Sequence, residues 1–222
     1  MSVLVIIPAA GSGTRFGGEI PKQFLSLSGK PLLQHVVERF LAHPDVARIV
    51  VAVSEQLLPS VQTETADRVQ FVAGGGSRQE SVLCAIRGAG EGFDLVAVHD
   101  AVRPFFADAT FRAVLEAAEA SGAALPALPV ADTIHTVRGD TIDLTLDRSQ
   151  LVAAQTPQCF QYKVLRDVLE RAERDHENGT DEAGLAARYG ITVKVIPGDT
   201  MNFKITRPDD LALAETIYAR WS

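Results

Sequence analysis

Val3-Leu4-Val5-Ile6-Ile7-Pro8-Ala9-Ala10-Gly11-Ser12-Gly13 is the stretch on which the fold turns. Val3 to Ile7 is a continuous apolar run rich in β-branched residues, ended by Pro8 and followed by Gly11, Gly13, Gly17 and Gly18. A run without polar alternation is that of a strand buried on both faces, and the glycines make a flexible loop at its carboxyl end. Working outward, Leu32, Leu33, Val36, Val37, Phe40 and Leu41 recur at helical spacing behind Pro31, which suits a first helical turn. A second strand follows over 49–53, a third over 69–73, a helix over 80–87, a strand over 95–98 and an Ala-rich helix over 108–120. Residues 123–128 add one more apolar stretch. Strands alternating with helices imply right-handed crossovers and an α/β fold: a doubly wound, mostly parallel sheet covered on both faces.

The rhythm changes at Asp132. Residues 132–137 and 141–146 alternate polar and apolar around Arg138-Gly139-Asp140, which reads as a β-hairpin inserted into the α/β chain. An isolated two-stranded ribbon is marginal in water, so this arm needs a partner surface, and a second copy of the chain is the simplest one. Helices are expected over 163–174 and 181–189, a strand over 191–196 and a last helix from Pro208 to about Tyr218. Neither a repeat nor a linker divides the sequence, so residues 1–222 read as a single domain with 130–150 as a dimerisation arm.

Composition narrows the function. The chain has 222 residues, 46% hydrophobic and 22% charged, with a net charge of -7. That balance argues against nucleic-acid or anionic-membrane partners, which need a basic excess. Small anionic substrates remain open if Lys and Arg gather at one cleft. Cys84 and Cys159 lack neighbours at metal-ligand spacing and read as small core or boundary residues. No apolar run reaches the roughly 18 residues of a membrane helix. Met1 leads straight into a strand instead of a targeting segment, so cytoplasmic residence is expected. His35, His43, His176 and Trp221 are scattered singly and read as surface or boundary residues, and 170–177 reads as a solvated helix face.

The glycine loop presents backbone N–H groups to a phosphate, as glycine permits close approach. It lacks G-x-G-x-x-G spacing, and no Gly-Lys-Ser/Thr follows, so hydride transfer and Walker-type hydrolysis lose ground. Arg15 inside the loop and Lys22 after Pro21 stand where a triphosphate on those amides would extend.

Pro8-Ala9-Ala10-Gly11-x-Gly13-x-Arg15 followed by Pro21-Lys22-Gln23 resembles the 2-C-methyl-D-erythritol 4-phosphate cytidylyltransferase family. So, in the family's order, do Gly74-Gly75-Gly76-x-x-x-x-Ser81-Val82, His99-Asp100-Ala101-Val102-Arg103-Pro104, Asp132-Thr133, Asp147-Arg148, Gln155-Thr156-Pro157-Gln158, Thr180-Asp181-Glu182 and Asn202-x-Lys204-Ile205-Thr206. The resemblance covers essentially the whole chain. It implies a nucleotide-diphospho-sugar transferase-like, Rossmann-like fold and transfer of the cytidylyl group of CTP to 2-C-methyl-D-erythritol 4-phosphate, with Mg²⁺ as the divalent ion. By the same resemblance Arg15, Lys22 and Lys204 are catalytic. Ala9, Ala10, Gly11, Gly13, Gly75, Gly76, Ser81 and Asp100 bind CTP, with Asp100 near the metal. Arg103, Thr180 and Lys204 bind the acceptor from the same chain, and Thr133 and Arg148 from the arm of the other subunit in a homodimer. His99 is left to packing or to support of the residues that touch the ligand. The rivals are a ribitol 5-phosphate cytidylyltransferase, an enzyme that uses GTP or another nucleotide to activate a cofactor or sugar, and a nucleotide-binding module without turnover. Charge focused on an α-phosphate serves turnover more than binding alone.

Overall fold

A computed structural model describes residues 1–11, 21–61 and 67–221. The opening apolar run forms strand β1 (Val3–Ala9), two residues longer than its sequence signal because Pro8 is held in the ladder opposite Ala52. The short strands β2 (Ser26–Leu27) and β3 (Lys30–Pro31) then make a small hairpin, and helix α1 (Leu32–Leu41) follows where the spacing put it. Next come β4 (Val46–Val53), the single turn α2 (Leu58–Val61), β5 (Val69–Ala73), α3 (Arg78–Ala89), β6 (Leu95–Val98), α4 (Asp108–Ser121) and β7 (Ala123–Pro129). The chain continues through β8 (His135–Arg138), β9 (Thr141–Thr145), β10 (Val152–Ala154), β11 (Gln158–Gln161), α5 (Tyr162–Asp175), α6 (Glu182–Arg188), β12 (Val193–Pro197) and α7 (Pro208–Trp221).

β1 lies between β4 and β6, parallel to both, and β5 extends the parallel set beyond β4. On the other side the direction reverses. β11 runs antiparallel to β6, with Gln158 opposite Val98, and β10 and β11 together run antiparallel down β7. β12 pairs parallel to the far edge of β7. The mostly parallel sheet of the α/β class is present, but β10 and β11 carry no sequence signal strong enough to be read as strands. Val152–Ala154 is short and exposed, and Gln158–Gln161 mixes two glutamines with Cys159 and Phe160.

The unbroken apolar character of β1 follows from its position. Successive side chains on a strand point to opposite faces. Leu4 and Ile6 enter a core closed by α3 and α5, while Val3, Val5 and Ile7 enter a second core closed by α1 and α4. All five are fully buried, and each contributes roughly 1.5–3 kcal/mol by leaving water. A third cluster, around Leu27, Leu32, Phe105 and Ile205, seats α7.

Two expectations are corrected. His35 and His43, read as surface or boundary residues, are both buried. His35 Nε2 meets the Leu27 carbonyl at 2.8 Å and its ring stands edge-on to Tyr218. His43 Nδ1 accepts from the Asp45 amide and packs edge-on against Phe111. An imidazole with one backbone partner behaves as a small aromatic, and single-residue spacing does not reveal that.

The arm forms as a separate antiparallel ribbon, β8 with β9, starting three residues later than its alternation suggested. Every residue of both strands is exposed, with Val137, Ile142 and Leu144 between 57% and 65% accessible. These apolar side chains find no cover among the described residues.

Candidate active site

The carboxyl ends of β1, β5 and β6 open on a cleft of about 290 Å³. Ligands collect at this edge in open α/β sheets. The loop after β1 is held by Gln23, 3% exposed, whose Nε2 donates to the carbonyls of Ala9 at 2.7 Å and Gly11 at 3.2 Å. A short 3-10 turn, Lys22–Phe24, carries Gln23 inward and sets Lys22 on the wall. Opposite, β5 passes through Gly74, Gly75 and Gly76 into α3. Ser77 Oγ accepts from the Glu80 amide while Gly76 N–H donates to Glu80 Oε2 at 2.8 Å, a reciprocal cap that fixes where the helix begins. Ser81 Oγ accepts from Gly75 N–H at 3.1 Å and donates to Ser77 O. A Cβ on Gly74 would lie 2.7 Å from Ala10 Cβ and 2.8 Å from Ser81 Oγ, so the two loops approach closely enough to admit only glycine there.

The third wall begins where β6 ends. His99 is fully buried and its pKa is lowered to about 3, chiefly by desolvation. Its hydrogen bonds fix one neutral tautomer. Nε2 lies 3.0 Å from the Arg103 carbonyl, which can only accept, so Nε2 carries the proton and Nδ1 accepts from the Thr156 hydroxyl at 3.0 Å. Thr156 Oγ1 in turn accepts from the Asp100 amide at 3.1 Å. The imidazole thus sets the turn that presents Asp100.

Asp100 faces three cations: Lys204 Nζ at 3.0 Å, Arg103 Nε at 3.2 Å and Arg78 at 3.7 Å. Burial alone would raise its pKa, but Lys204, Arg78 and Arg103 together hold the carboxyl well below the usual carboxylate range. Arg78 also contacts Glu182 directly, and burial pushes that carboxyl's pKa up. Lys204 reaches the cleft on the segment after Asn202, whose Nδ2 donates to Thr156 O and whose carbonyl accepts from Arg103. Lys204, Arg78 and Arg103 thus gather around Asp100 and Glu182, and Lys22 lines the same cleft, so basic side chains collect here although the chain carries a net charge of -7.

Ala9, Ala10, Gly11, Lys22, Gly75, Gly76, Ser81, Asp100 and Lys204, expected at the site from the family resemblance, line this one cleft. Arg103 supports Asp100 from the side. Gly13 and Arg15 lie outside the described residues. Thr133, Arg148 and Thr180 do not line the cleft. Thr133 is exposed at the base of the arm, Arg148 donates to the Ala131 carbonyl from its own 3-10 turn, and Thr180 is exposed just ahead of α6. Arg78 was not singled out from sequence. Its signal is a cation in the first turn of a helix, where the macrodipole disfavours positive charge, directly after a glycine run. Among the described residues no three His, Cys, Asp or Glu side chains gather as a metal cage.

Two lysines lining one cleft beside a glycine-rich backbone cradle can hold a polyphosphate while a second anion approaches it, which is the work of a nucleotidyltransferase on an α/β sheet. Comparison with known proteins specifies the kind. The chain belongs to the family described as IspD, 2-C-methyl-D-erythritol 4-phosphate cytidylyltransferase, whose model matches residues 3–220. It is 44% identical to the enzyme of that name from Acidobacterium capsulatum, over 96% of each chain, and 42% identical to that from Syntrophotalea carbinolica, over 97% and 95%. Crystal structures under the same name are similar throughout. The one from Francisella tularensis aligns with a TM-score of 0.86 at 30% identity over 100% of this chain and 99% of the other. The one from Thermus thermophilus aligns with 0.81 at 35% over 99% and 100%.

Proposed function

We propose that this chain joins CTP to 2-C-methyl-D-erythritol 4-phosphate, the acceptor named in the relatives above. An anionic oxygen of the acceptor phosphate forms a bond to the α-phosphorus of CTP. The bond from that phosphorus to its bridging oxygen breaks, and pyrophosphate leaves with the electron pair. The product is 4-diphosphocytidyl-2-C-methyl-D-erythritol. Since the nucleophile is already charged, the protein's task is to offset repulsion between two polyanions and stabilise a crowded phosphorus.

The observation that carries this reading is the entry of Lys22 and Lys204, from opposite ends of the chain, into one cleft beside Gly75, Gly76 and Ser81. In our assignment Lys22, with Arg15, holds the triphosphate, and Lys204 leaves Asp100 to meet the α-phosphate. Backbone groups at Ala9, Ala10, Gly11, Gly75 and Gly76, with Gly13 in the same loop and the Ser81 hydroxyl, bind cytidine. Arg103, Thr180 and Lys204 take the acceptor phosphate. Asp100 suits Mg²⁺ carried by the triphosphate: it is ionised, faces the cleft, and offers the single hard oxygen donor group that such an ion needs beside phosphates and water. The ion would neutralise charge on the phosphates.

Thr133 and Arg148 are assigned to the cleft of a partner subunit. The support is the arm itself, whose exposed Val137, Ile142 and Leu144 demand a partner surface. In this reading residues 1–222 act as one catalytic domain, 130–150 tie a homodimer together, and the reaction runs in the cytoplasm without nucleic acid or membrane. No helix among the described residues is long and apolar enough to cross a membrane.

The test is pyrophosphate release from CTP, GTP, ATP or UTP with 2-C-methyl-D-erythritol 4-phosphate or ribitol 5-phosphate, each with and without Mg²⁺. Turnover is expected for CTP with the erythritol phosphate and Mg²⁺. Equal turnover with ribitol 5-phosphate, or none with CTP, removes the assignment.

A further inference from the structure

The segment that carries Thr180 is fastened to the nucleotide side of the cleft at two points, both supplied by the first turn of α3. Gln79 Oε1 accepts from the Gly179 amide at 2.8 Å, and its Nε2 donates to the Glu177 carbonyl at 3.0 Å. One residue earlier, Arg78 contacts the buried Glu182 while its other nitrogen faces Asp100 at 3.7 Å. Thr180 lies between these two anchors. The same turn of helix is fixed by the Ser77 cap and follows Gly75 and Gly76, which we assign to cytidine.

The far side of the segment is tied to the sheet. Asp181 caps α6 through Gly184 N–H at 2.9 Å and accepts from Gln158 at 2.7 Å, and Gln158 Oε1 accepts from Ala183 N–H at 3.0 Å. A Cβ on Gly179 would lie 3.0 Å from both Asp181 O and Leu185 Cβ, so the segment is drawn tight against its own helix. The exposed Glu177, Asn178 and Thr180 are thereby anchored through the half-buried Gln79 and Asp181 and the buried Gln158 and Glu182.

A buried ion pair adds little net stability over apolar packing of the same volume, whereas it does fix geometry. Gln79 does not line the cleft and Glu182 is 1% exposed, so neither is placed to touch a ligand there and their effect must pass through the segment they hold; Arg78 does line the cleft, and it reaches the segment through Glu182.

We propose that Arg78 and Gln79 are positioning residues which register the acceptor segment 177–182 against the nucleotide loop, so that the affinity for the acceptor phosphate is set from α3. This rests on the assignment of Thr180 to the acceptor. A loop ordered before binding does not have to be ordered by the ligand. Loosening it therefore raises the acceptor KM and leaves the nucleotide site intact.

The experiment is steady-state kinetics of the full-length enzyme with CTP, Mg²⁺ and 2-C-methyl-D-erythritol 4-phosphate, comparing Gln79→Leu, Gln79→Glu, Arg78→Lys and Thr180→Val, with CTP affinity measured separately by calorimetry. Gln79→Leu keeps the side-chain volume and removes both hydrogen bonds. We expect it to raise the acceptor KM about tenfold, as for loss of one or two ordering hydrogen bonds, with CTP affinity within about twofold. Gln79→Glu, which still accepts from Gly179 but cannot donate to Glu177, falls between wild type and Gln79→Leu. Arg78→Lys keeps the positive charge beside Asp100 but not the two-carboxylate reach, and it too raises the acceptor KM. An unchanged acceptor KM in both Gln79→Leu and Arg78→Lys, with Thr180→Val raising it, overturns the positioning role and spares the Thr180 assignment. No effect of Thr180→Val removes that assignment instead. Should Arg78→Lys fail to fold, the Gln79 pair alone decides. A rise in CTP dissociation constant matching the rise in acceptor KM would show a general loosening and sink the proposal.

Discussion

Acidification should strip stability from this protein through one imidazole. His99 is fully buried, its ring edges meet Phe40 and Phe106, and its hydrogen bonds demand a neutral ring with Nδ1 free to accept. Its pKa is lowered from 6.5 to about 3 by desolvation above all. A depressed pKa contributes stability that is complete above the unfolded value and lost as the pH falls from 6.5 toward 3, since the unfolded chain takes up a proton that the folded one refuses. At about 1.4 kcal/mol per unit of pKa difference, moving from pH 7 to pH 4.5 removes about 2.5 kcal/mol through this group. Urea unfolding measured across that range on wild type and on His99→Gln isolates it. The variant begins less stable, having lost buried hydrogen bonds, but its deficit relative to wild type should shrink by about 2.5 kcal/mol between pH 7 and pH 4.5, because Gln has no proton to gain. Carboxylates elsewhere titrate in both proteins and cancel in the difference. Parallel curves would mean that the folded protein accepts the proton at position 99, and the single-tautomer argument for Asp100 would go with it.

Lys204→Ala and Lys22→Ala should each lower kcat by roughly 10²–10³, the loss typical of one positioned charge-stabilising donor, while the thermal midpoint stays near wild type; ordinary turnover in both variants would remove the electrostatic account of the cleft. Gly74→Ala places a methyl 2.7 Å from Ala10 Cβ and must push the two loops apart, so calorimetry should find CTP binding weakened about tenfold or more; unaltered binding would mean that the loops do not form the cytidine pocket. Ile142→Glu with Leu144→Glu in the arm should yield a monomer by light scattering with little turnover, and a fully active monomer would contradict the shared-site reading.

How far the sequence carried the fold depends on local pattern. β1, β5, α1 and α4 were legible because each combines an apolar signal with a proline or glycine beside one end, and β6 because all four of its residues are apolar; their observed bounds lie within two residues of those read. β10 and β11 were not, since Val152–Ala154 and Gln158–Gln161 become strands only by pairing with β7 and β6 and have no period of their own. Within the cleft, the glycines and Lys22 stood out as a short-range motif, and Asp100 and Lys204 came from resemblance. Arg78, Gln79 and Thr156 stayed unread as individuals because their work is done on partners about 50 to 100 residues away, Thr156 on His99, Arg78 on Glu182 and Gln79 on Gly179. A contact at that range leaves no periodicity behind.

The closeness of Gly74 to Ala10 has a further outcome for how such an enzyme can change. At Gly74 the neighbouring Ala10 Cβ and Ser81 Oγ leave no room for any added side chain, so a substitution there cannot retune the nucleotide half without moving its loops. If Thr180 and Arg103 take the acceptor as proposed, that half is built from exchangeable side-chain tips, and variation aimed at new polyol phosphates should be sought there.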